Sequence, residues 1–413
     1  DGSYTYTRTA NLDAITSTVV ETFNYKVTDA AGNSTQSTLT INLVPVNDAP
    51  TVANIIPDQT PVMGEYFEYL VPATSFADVD STLTYSATRG DGTALPAWMS
   101  FDPATRKLSG TPTSTIDFNV KVIANDGALS ISDTFHIGIA PVANSIAIAS
   151  ATGIQNNLLN AGDVVKVSVT FSEAVNVTGT PQLSLNVGGT LVLADYLSGT
   201  GTATLIFSYT VELGRTDVNG ISINANALNL NDGTIRDLAN NNAALNMAAV
   251  ADNASYKVDT TAPALGSLSV SDTGSSSTDG ITKNAVVTVA GIEAGATWQY
   301  STNNGSTWAN GSGTSFTLTQ GSYEAGFVQM RQTDKAGNVQ TGALIASNAA
   351  AITVDTTAPA VASFSYADTG TSATDGITKN GLITVSDLEV GATWQYSKDG
   401  GVTWAAGSDT SFT

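Results

Sequence analysis

The sequence predicts an all-β protein built of tandem β-sandwich domains in an extended array. Three observations indicate this fold class. A long segment occurs twice at a fixed spacing, polar and apolar residues alternate over many short runs, and turn signals or prolines separate those runs. A long fixed period is typical of chains whose repeated units each fold. Alternation with period two is typical of strands that have one buried and one solvated face.

The repeated segment occupies residues 259–317 and returns, 96 positions later, at residues 355–413. The string Gly-Ala-Thr-Trp-Gln-Tyr-Ser, for example, begins at Gly295 and again at Gly391. The chain ends at the counterpart of Thr317, a little past the middle of a repeat. We therefore expect this chain to be a piece of a longer protein.

Alternating runs mark the predicted strands. Leu39, Ile41 and Leu43 are separated by polar residues. The same period recurs at residues 118–122, 165–171 and 205–211. Between such runs lie pairs such as Asp91-Gly92, which are signals for hairpin turns. Short strands separated by frequent turns favour β-sandwiches.

Prolines mark the predicted domain boundaries, because proline fixes φ and lacks a backbone donor, so a strand cannot run straight through it. The linkers contain Pro50, Pro141, Pro263 and Pro359. The predicted domains are residues 1–48 (partial), 49–141, 142–260, 261–356 and 357–413 (partial). The linkers hold no Gly/Ser tract, so we expect a semi-rigid array.

The charge and the cysteine count exclude several classes of function. The formal net charge is −21, from 36 acidic and 15 basic residues. Such a chain repels phosphate backbones and anionic lipids, which argues against nucleic-acid partners and membrane-surface roles. The absence of cysteine excludes disulfides and zinc–thiolate sites. No apolar run reaches the ~18 residues of a membrane span, so we expect no membrane insertion in this segment.

The sequence gives little support to an enzyme. Its single histidine, His136, alternates with Phe135 and Ile137 and is expected on the solvated face of a strand. A lone strand histidine is not a triad base without a placed nucleophile and acid. No phosphate loop, serine elbow or zinc-protease motif occurs. Pairs of carboxylates leave glycosidase chemistry open, but nothing places a pair in a cleft. We expect no catalytic residues.

An ordered set of motifs lies in residues 49–141. They are Phe-Ala-Asp-Val-Asp at 76–80, Leu-Pro-Ala-Trp-Met-Ser-Phe-Asp at 95–102, Leu-Ser-Gly-Thr-Pro at 108–112 and Asn-Asp-Gly at 125–127. Through these motifs the segment resembles the dystroglycan-type cadherin-like domain. Residues 21–50, which end in Asn-Asp-Ala-Pro, resemble the tail of a cadherin-like repeat.

The remaining segments resemble bacterial Ig-like domains. Residues 142–260 do so through Val-Thr-Phe-Ser-Glu-Ala-Val at 169–175, and residues 261–413 through repeats that end in Asp-Thr-Thr-Ala-Pro. The combination resembles the repeat region of large bacterial surface adhesins that are exported by type I secretion and associated with biofilm formation. This resemblance implies an extracellular location at the bacterial cell surface and a role in cell adhesion.

Calcium is the cofactor that the resemblance implies. Ca²⁺ takes six to eight oxygen ligands, and a junction between domains can supply them from both sides. The ligands implied by the resemblance are Asn47, Asp48, Glu65, Asp78, Asp80 and Asp126. The alternative is an Asp-rich turn whose carboxylates cap its own backbone N–H groups.

A second acidic pattern, Asp-x-x-Gly-Asn, has two interpretations. It occurs at Asp29 and at Asp334, and a looser form begins at Asp237. Together with Asp259 or Asp355 of the linkers, these residues could hold a metal. A hairpin turn held by bonds between side chain and backbone explains the recurrence without metal, and we favour that interpretation.

Tryptophans recur with the repeat, since Trp298 and Trp308 return as Trp394 and Trp404. A large aromatic residue in each unit is typical of packing between two sheets. The alternative is a stacking platform for sugars, because exposed aromatic residues normally need a functional reason.

These observations leave three hypotheses about function. The first is a structural extender segment of a secreted bacterial adhesin, stiffened by calcium at its domain junctions. The second is a binding module within residues 49–141, with a polysaccharide or a surface protein as its ligand. The third is an accessory region of a large secreted hydrolase.

Overall fold

The computed structural model describes residues 5–7, 15 and 17–413, and this part of the chain is almost entirely β-structure. The sole helix there is a short 3₁₀ turn, Gly342–Leu344. Within the same ranges no helix has the length and apolarity needed to cross a membrane. The chain divides into two compact units, residues 1–261 with 335–338 and residues 262–334 with 339–413. The predicted all-β fold class is confirmed.

The first unit begins with an antiparallel hairpin of β1 (Val19–Thr28) and β2 (Ser34–Leu43). The alternation of Leu39, Ile41 and Leu43 therefore does mark a strand, as predicted. The predicted 1–48 segment begins before this hairpin. Of its residues 1–16, all except 5–7 and 15 lie outside the described residues.

Eight strands follow between residues 49 and 141. They are β3 (Thr51–Val52), β4 (Phe67–Leu70), β5 (Phe76–Ala77), β6 (Thr84–Arg89), β7 (Met99–Asp102), β8 (Lys107–Gly110), β9 (Phe118–Asn125) and β10 (Ser130–Ile137). Two three-stranded sheets, β10-β9-β6 and β4-β8-β7, share one core. Leu108 of β8 and the alternate residues Val120 and Val122 of β9 are fully buried in it. Burial of every second residue produces a sandwich.

The same unit continues with ten strands and a second core. They are β11 (Ala143–Thr152), β12 (Leu158–Leu159), β13 (Val164–Thr178), β14 (Gln182–Val187), β15 (Thr190–Ser198), β16 (Thr202–Thr210), β17 (Thr216–Asp217), β18 (Leu228–Asn229), β19 (Thr234–Asp237) and β20 (Lys257–Asp259). A seven-stranded sheet contains β11, β13–β16, β18 and β19, and a small sheet has the order β12-β20-β17. The long strand β13 pairs first with β16 and then, beyond an irregularity in register, with β19.

The second unit contains fifteen strands. They are β21 (Ser267–Val270), β22 (Ile281–Thr282), β23 (Val286–Ala290), β24 (Thr297–Ser301), β25 (Ala309–Asn310), β26 (Ser315–Thr317), β27 (Gly321–Tyr323), β28 (Gln329–Thr333), β29 (Ala346–Ser347), β30 (Ile352–Val354), β31 (Ser363–Tyr366), β32 (Ile383–Ser386), β33 (Gln395–Tyr396), β34 (Ala405–Ala406) and β35 (Ser411–Phe412). Its core cluster draws on sheets β21-β23-β26, β22-β30-β27 and β25-β24-β28-β29.

The two copies of the repeat share one sheet and one aromatic stack. Sheet β21-β23-β26 of the first copy returns as β31-β32-β35 in the second. The ring of Tyr300 stacks on Phe316 at 4.1 Å, and their counterparts Tyr396 and Phe412 stack at 4.0 Å. Equal sequence thus gives equal local packing, as expected for a repeated structural unit.

The tryptophans of the repeat differ in burial. Trp298 is only 6% exposed, packs against Phe316, and donates its indole N–H to the carbonyl of Gly313 at 3.1 Å. The ring of Trp308 is covered by the guanidinium of Arg331, 4.2 Å from its centroid. Trp404, the counterpart of Trp308, is 61% exposed. Trp298 is therefore a core residue.

We expect Trp298→Ala to destabilise the second unit by about 3–5 kcal/mol, because it removes a large buried ring and leaves a cavity. Trp404→Ala is the control of the same residue type and should change stability by less than ~1 kcal/mol, since that ring is exposed. Urea unfolding followed by hydrogen exchange of peptides from 286–333 measures the difference. Equal losses in both variants would contradict the core assignment.

Candidate functional site

Predicted calcium ligands meet where residues 47–48 lie against the 49–141 domain. The side-chain amide of Asn47 donates to Oδ2 of Asp126 at 2.9 Å. The backbone N–H of Asp48 donates to Oδ2 of Asp80 at 3.4 Å. The structure thus brings Asn47 to an acid 79 positions away along the chain, and Asp48 to an acid 32 positions away.

Asp78 and Asp80 lie in the loop that follows β5. Oδ1 of Asp78 accepts the N–H of Asp80 at 3.0 Å and the N–H of Ser81 at 2.7 Å. Asp favours such turns because its short side chain can reach the backbone two residues on. Oδ1 of Asp78 therefore caps backbone N–H groups of its own turn, which is the alternative to metal binding that the sequence predicted.

Asp126 lies in the hairpin turn between β9 and β10. Its Oδ1 accepts the N–H groups of Ala128 and Leu129, both at 2.7 Å. Gly127 has φ +107°, a left-handed conformation that glycine adopts without strain. The N–H groups of Leu129 and Ala128, and then the amide of Asn47, lower the pKa of Asp126. This carboxylate therefore stays ionised well into the acid range.

At this junction, Oδ2 of Asp78 and Oδ1 of Asp80 are buried and accept no hydrogen bond. A buried charged oxygen without a partner is costly, so such oxygens normally face a donor, water or a cation. Carboxylate, amide and carbonyl oxygens are the donors that Ca²⁺ prefers. The donor set therefore fits a hard cation. In the described part of the chain, however, no three His, Cys, Asp or Glu side chains lie close enough together to hold a metal ion.

The structure places Glu65 apart from the other five predicted ligands. Its exposed side chain follows Val62, which pairs with Ala140 at the far end of the domain. Asp126 marks the near end, and the eight residues of β9 that separate the two ends span about 25 Å. The candidate site is therefore built without Glu65, because the fold carries it to the opposite end.

The Asp-Asn pattern forms turns in the first unit. Asp29 accepts the backbone N–H of Asn33 at 2.8 Å and its side-chain amide at 3.1 Å. Asp237 accepts the backbone N–H and the side-chain amide of Asn241, each at 2.7 Å. The favoured turn interpretation describes both places, although the partner in the second turn is Asn241 rather than Asn240.

His136 lies where the alternation predicts. Its neighbours Phe135 and Ile137 are buried, whereas its own side chain is partly exposed. The ring Nδ1 is 3.1 Å from the side-chain oxygen of Asn119, and Nε2 is 3.5 Å from Oδ2 of Asp117. His136 thus lies in a cluster of polar side chains, with Asn119 and Asp117, on the outer face of β10.

Sequence reasoning missed a cluster of acids at the next domain boundary. Asp117 precedes β9, Glu173 lies within β13, and Asp237 ends β19. No short spacing links these positions, since 56 to 64 residues separate them. The available signals were Glu173, an acid inside a long strand made mostly of Val, Phe, Ser and Thr residues, and Asp237, which begins the looser form of the Asp-x-x-Gly-Asn pattern.

Comparison with known proteins supports Ig-like domains. Residues 49–140 match the family model He_PIG, described as Putative Ig domain. No curated protein matches the chain. Residues 49–140 are thus similar to an Ig-like domain, and the cadherin-like assignment of residues 49–141 remains a prediction.

Several solved structures are similar to the chain at low identity. An I-band fragment of titin is 8% identical, covers 74% of this chain and 98% of its own, and has a TM-score of 0.34. Extracellular domains 3–5 of Drosophila OTK are 10% identical; the match covers 53% of this chain and 66% of theirs, with a TM-score of 0.27. A putative alpha-galactosidase/melibiase from Bacteroides fragilis is 14% identical, with 22% and 17% covered and a TM-score of 0.18. The chain spans less than a fifth of that protein, and TM-scores this low carry no argument about function.

Proposed function

We propose that this chain is a structural extender segment of a secreted bacterial cell-surface adhesin, whose tandem Ig-like domains hold a binding domain away from the cell. The observation that carries the proposal is the succession of separate hydrophobic cores along the chain. One core lies within residues 56–139, another within 148–258 and a third within 287–354. A series of small domains, each stabilised by its own core, suits a spacer.

The surface charge supports an extracellular spacer. With a formal net charge of −21, neighbouring chains repel one another and remain soluble at a crowded cell surface. Partners would be a polysaccharide or a surface protein, and nucleic acid is disfavoured by the same charge. The proposal includes no enzymatic activity and no membrane insertion of this segment.

Calcium is the second part of the proposal. Asn47, Asp48, Asp78, Asp80 and Asp126 would hold the ion, with Glu65 left out. Bound Ca²⁺ supplies positive charge that neutralises the carboxylates and ties residues 47–48 to the following domain. Support comes from the two buried oxygens of Asp78 and Asp80 that lack hydrogen bonds. Extracellular calcium modules bind with dissociation constants of roughly 10⁻⁴–10⁻³ M, which suits a segment that stiffens only outside the cell.

Small-angle scattering of the whole chain tests the extender role. A compact protein of 413 residues would have a radius of gyration of about 22 Å. We expect a clearly larger value in calcium, and a change in the maximum dimension when EGTA removes the ion. A radius near the compact value would contradict the extender role. An extended particle that does not respond to EGTA would contradict calcium stiffening alone.

A further inference from the structure

The boundary between the 49–141 and 142–260 domains is closely packed. The chain passes from Pro141 into β11, and the carbonyl of Pro141 accepts the N–H of Ala244 at 2.8 Å. Val142 exchanges hydrogen bonds with Ser172 of β13, donating to its hydroxyl at 3.1 Å and accepting its N–H at 2.8 Å. Residues 141 and 142 are thus held against the 142–260 domain by hydrogen bonds and do not form a free linker.

Asn241 connects the two sides of this boundary through its side chain. Its Nδ2 donates to Oδ2 of Asp237 in its own turn at 2.7 Å, and to Oδ2 of Asp117 in the preceding domain at 3.0 Å. The side chain also lies directly over Gly138, where a Cβ atom would be only 2.1 Å from Oδ1 of Asn241. The absence of a side chain at Gly138 lets the amide reach both carboxylates.

Glu173 of β13 is the third carboxylate at the boundary. Its Oε1 is buried and accepts no hydrogen bond, and its side chain bonds to Thr115 of the preceding domain. Asp237 and Asp117 are the charged groups that face Glu173. His136 faces the same cluster from β10, with Nε2 at 3.5 Å from Asp117. Asn241 therefore bridges Asp117 and Asp237, Glu173 faces both of these acids, and the imidazole of His136 lies beside Asp117.

Such an arrangement is more stable when one acid is protonated. Like charges held close together in a partly buried site cannot all ionise freely. Burial, and then the charge of Asp237, raises the pKa of Glu173, while the bond from Thr115 acts in the opposite direction. A protonated Glu173 also becomes a donor that can bond to a neighbouring carboxylate.

We propose that this boundary is a pH-sensitive contact, in which protonation of Glu173 holds the two domains together and its ionisation loosens them. The folded state binds the proton of Glu173 more tightly than the unfolded state does. The stability from this group is therefore fully present below the ordinary glutamate pKa and is lost as pH rises through the higher pKa of the folded state.

Hydrogen exchange of the whole chain in EGTA, from about pH 4.5 to 7.5, tests the proposal across the range just above the ordinary glutamate pKa. Peptides from 113–118, 171–176 and 237–244 report on the boundary after correction for the intrinsic pH dependence of exchange. In the wild type we expect the opening equilibrium to rise as pH increases across this range, because Glu173 loses a proton that the folded state binds more tightly than the unfolded state.

Glu173→Gln should remove most of this rise, because the amide keeps the shape of the protonated acid and does not titrate. Glu324→Gln is the control, since that glutamate is exposed in the second unit. Asn241→Asp should steepen the rise by adding a fourth carboxylate. The proposal is wrong if Glu173→Gln and wild type open with the same pH dependence, or if Asn241→Asp leaves that dependence unchanged.

Discussion

Alanine in place of Gly110 is expected to unfold the 49–141 domain or to destabilise it by roughly 3–5 kcal/mol, through backbone strain and overpacking together. Gly110 ends β8, the central strand of its sheet, and is paired with Phe67 on one side and Met99 on the other. Its φ is +155°, and a Cβ atom there would lie 1.7 Å from the carbonyl oxygen of Trp98. Backbone atoms cannot rotate away as a side chain can, so the sheet itself would have to separate.

Gly64→Ala is the matched control for Gly110→Ala. Gly64 also has a positive φ, +78°, but no atom lies within 4 Å of the position of its Cβ. Gly64→Ala should destabilise the domain by only about 1–2 kcal/mol, the cost of placing a residue with a Cβ atom at positive φ. Hydrogen exchange of peptides from β9 and β10 in the whole chain measures both losses. Similar protection in the two variants would refute the proposed clash with Trp98.

Calcium is expected to stabilise the 49–141 domain by about 1–2 kcal/mol at ~5 mM, given a dissociation constant of the order found in extracellular modules. The physical reason is that the ion binds oxygens which are assembled in the folded state and dispersed in the unfolded one. The thermal midpoint of this domain should rise by several degrees. Calorimetry of the whole chain with calcium and with EGTA, combined with hydrogen exchange to identify the domain, measures the shift.

The variant Asp80→Asn should abolish most of that calcium response, because it replaces a charged oxygen ligand with a neutral amide of the same shape. Asp91→Asn should keep the response, since Oδ1 of Asp91 only caps the N–H and hydroxyl of Thr93 in an exposed turn. A calcium response that survives in Asp80→Asn would show that the ion binds at a site without Asp80. No response in the wild type would leave these acids as turn caps alone.

Strand periodicity was the most predictable property of this protein. Val165, Val167, Val169 and Phe171 alternate in sequence and are all buried in β13. Local turn chemistry was also predictable, because Asp29 and Asp126 bond to residues within four positions of themselves. Both properties depend on neighbours along the chain, and a sequence displays those neighbours directly.

The candidate calcium site was predictable only in part. Asp78 and Asp80 are two positions apart and were expected to act together, and they do lie in one loop. Glu65 was grouped with them by resemblance, yet the fold carries it to the other end of the domain. The sequence shows the type of each ligand, whereas the path of the strands decides which end of a sandwich each one occupies.

Alternation, turn residues and the repeat of 96 positions determined by themselves the all-β class and the repeated units, because period-two burial and turn geometry are local properties. Only the tertiary structure decided that Asn241 reaches Asp117, that Glu173 faces two further acids, and that Gly110 lies against Trp98. These contacts join positions 12 to 124 residues apart. Their existence depends on how the sheets pack, since no pattern along the chain encodes which side chains meet across a boundary.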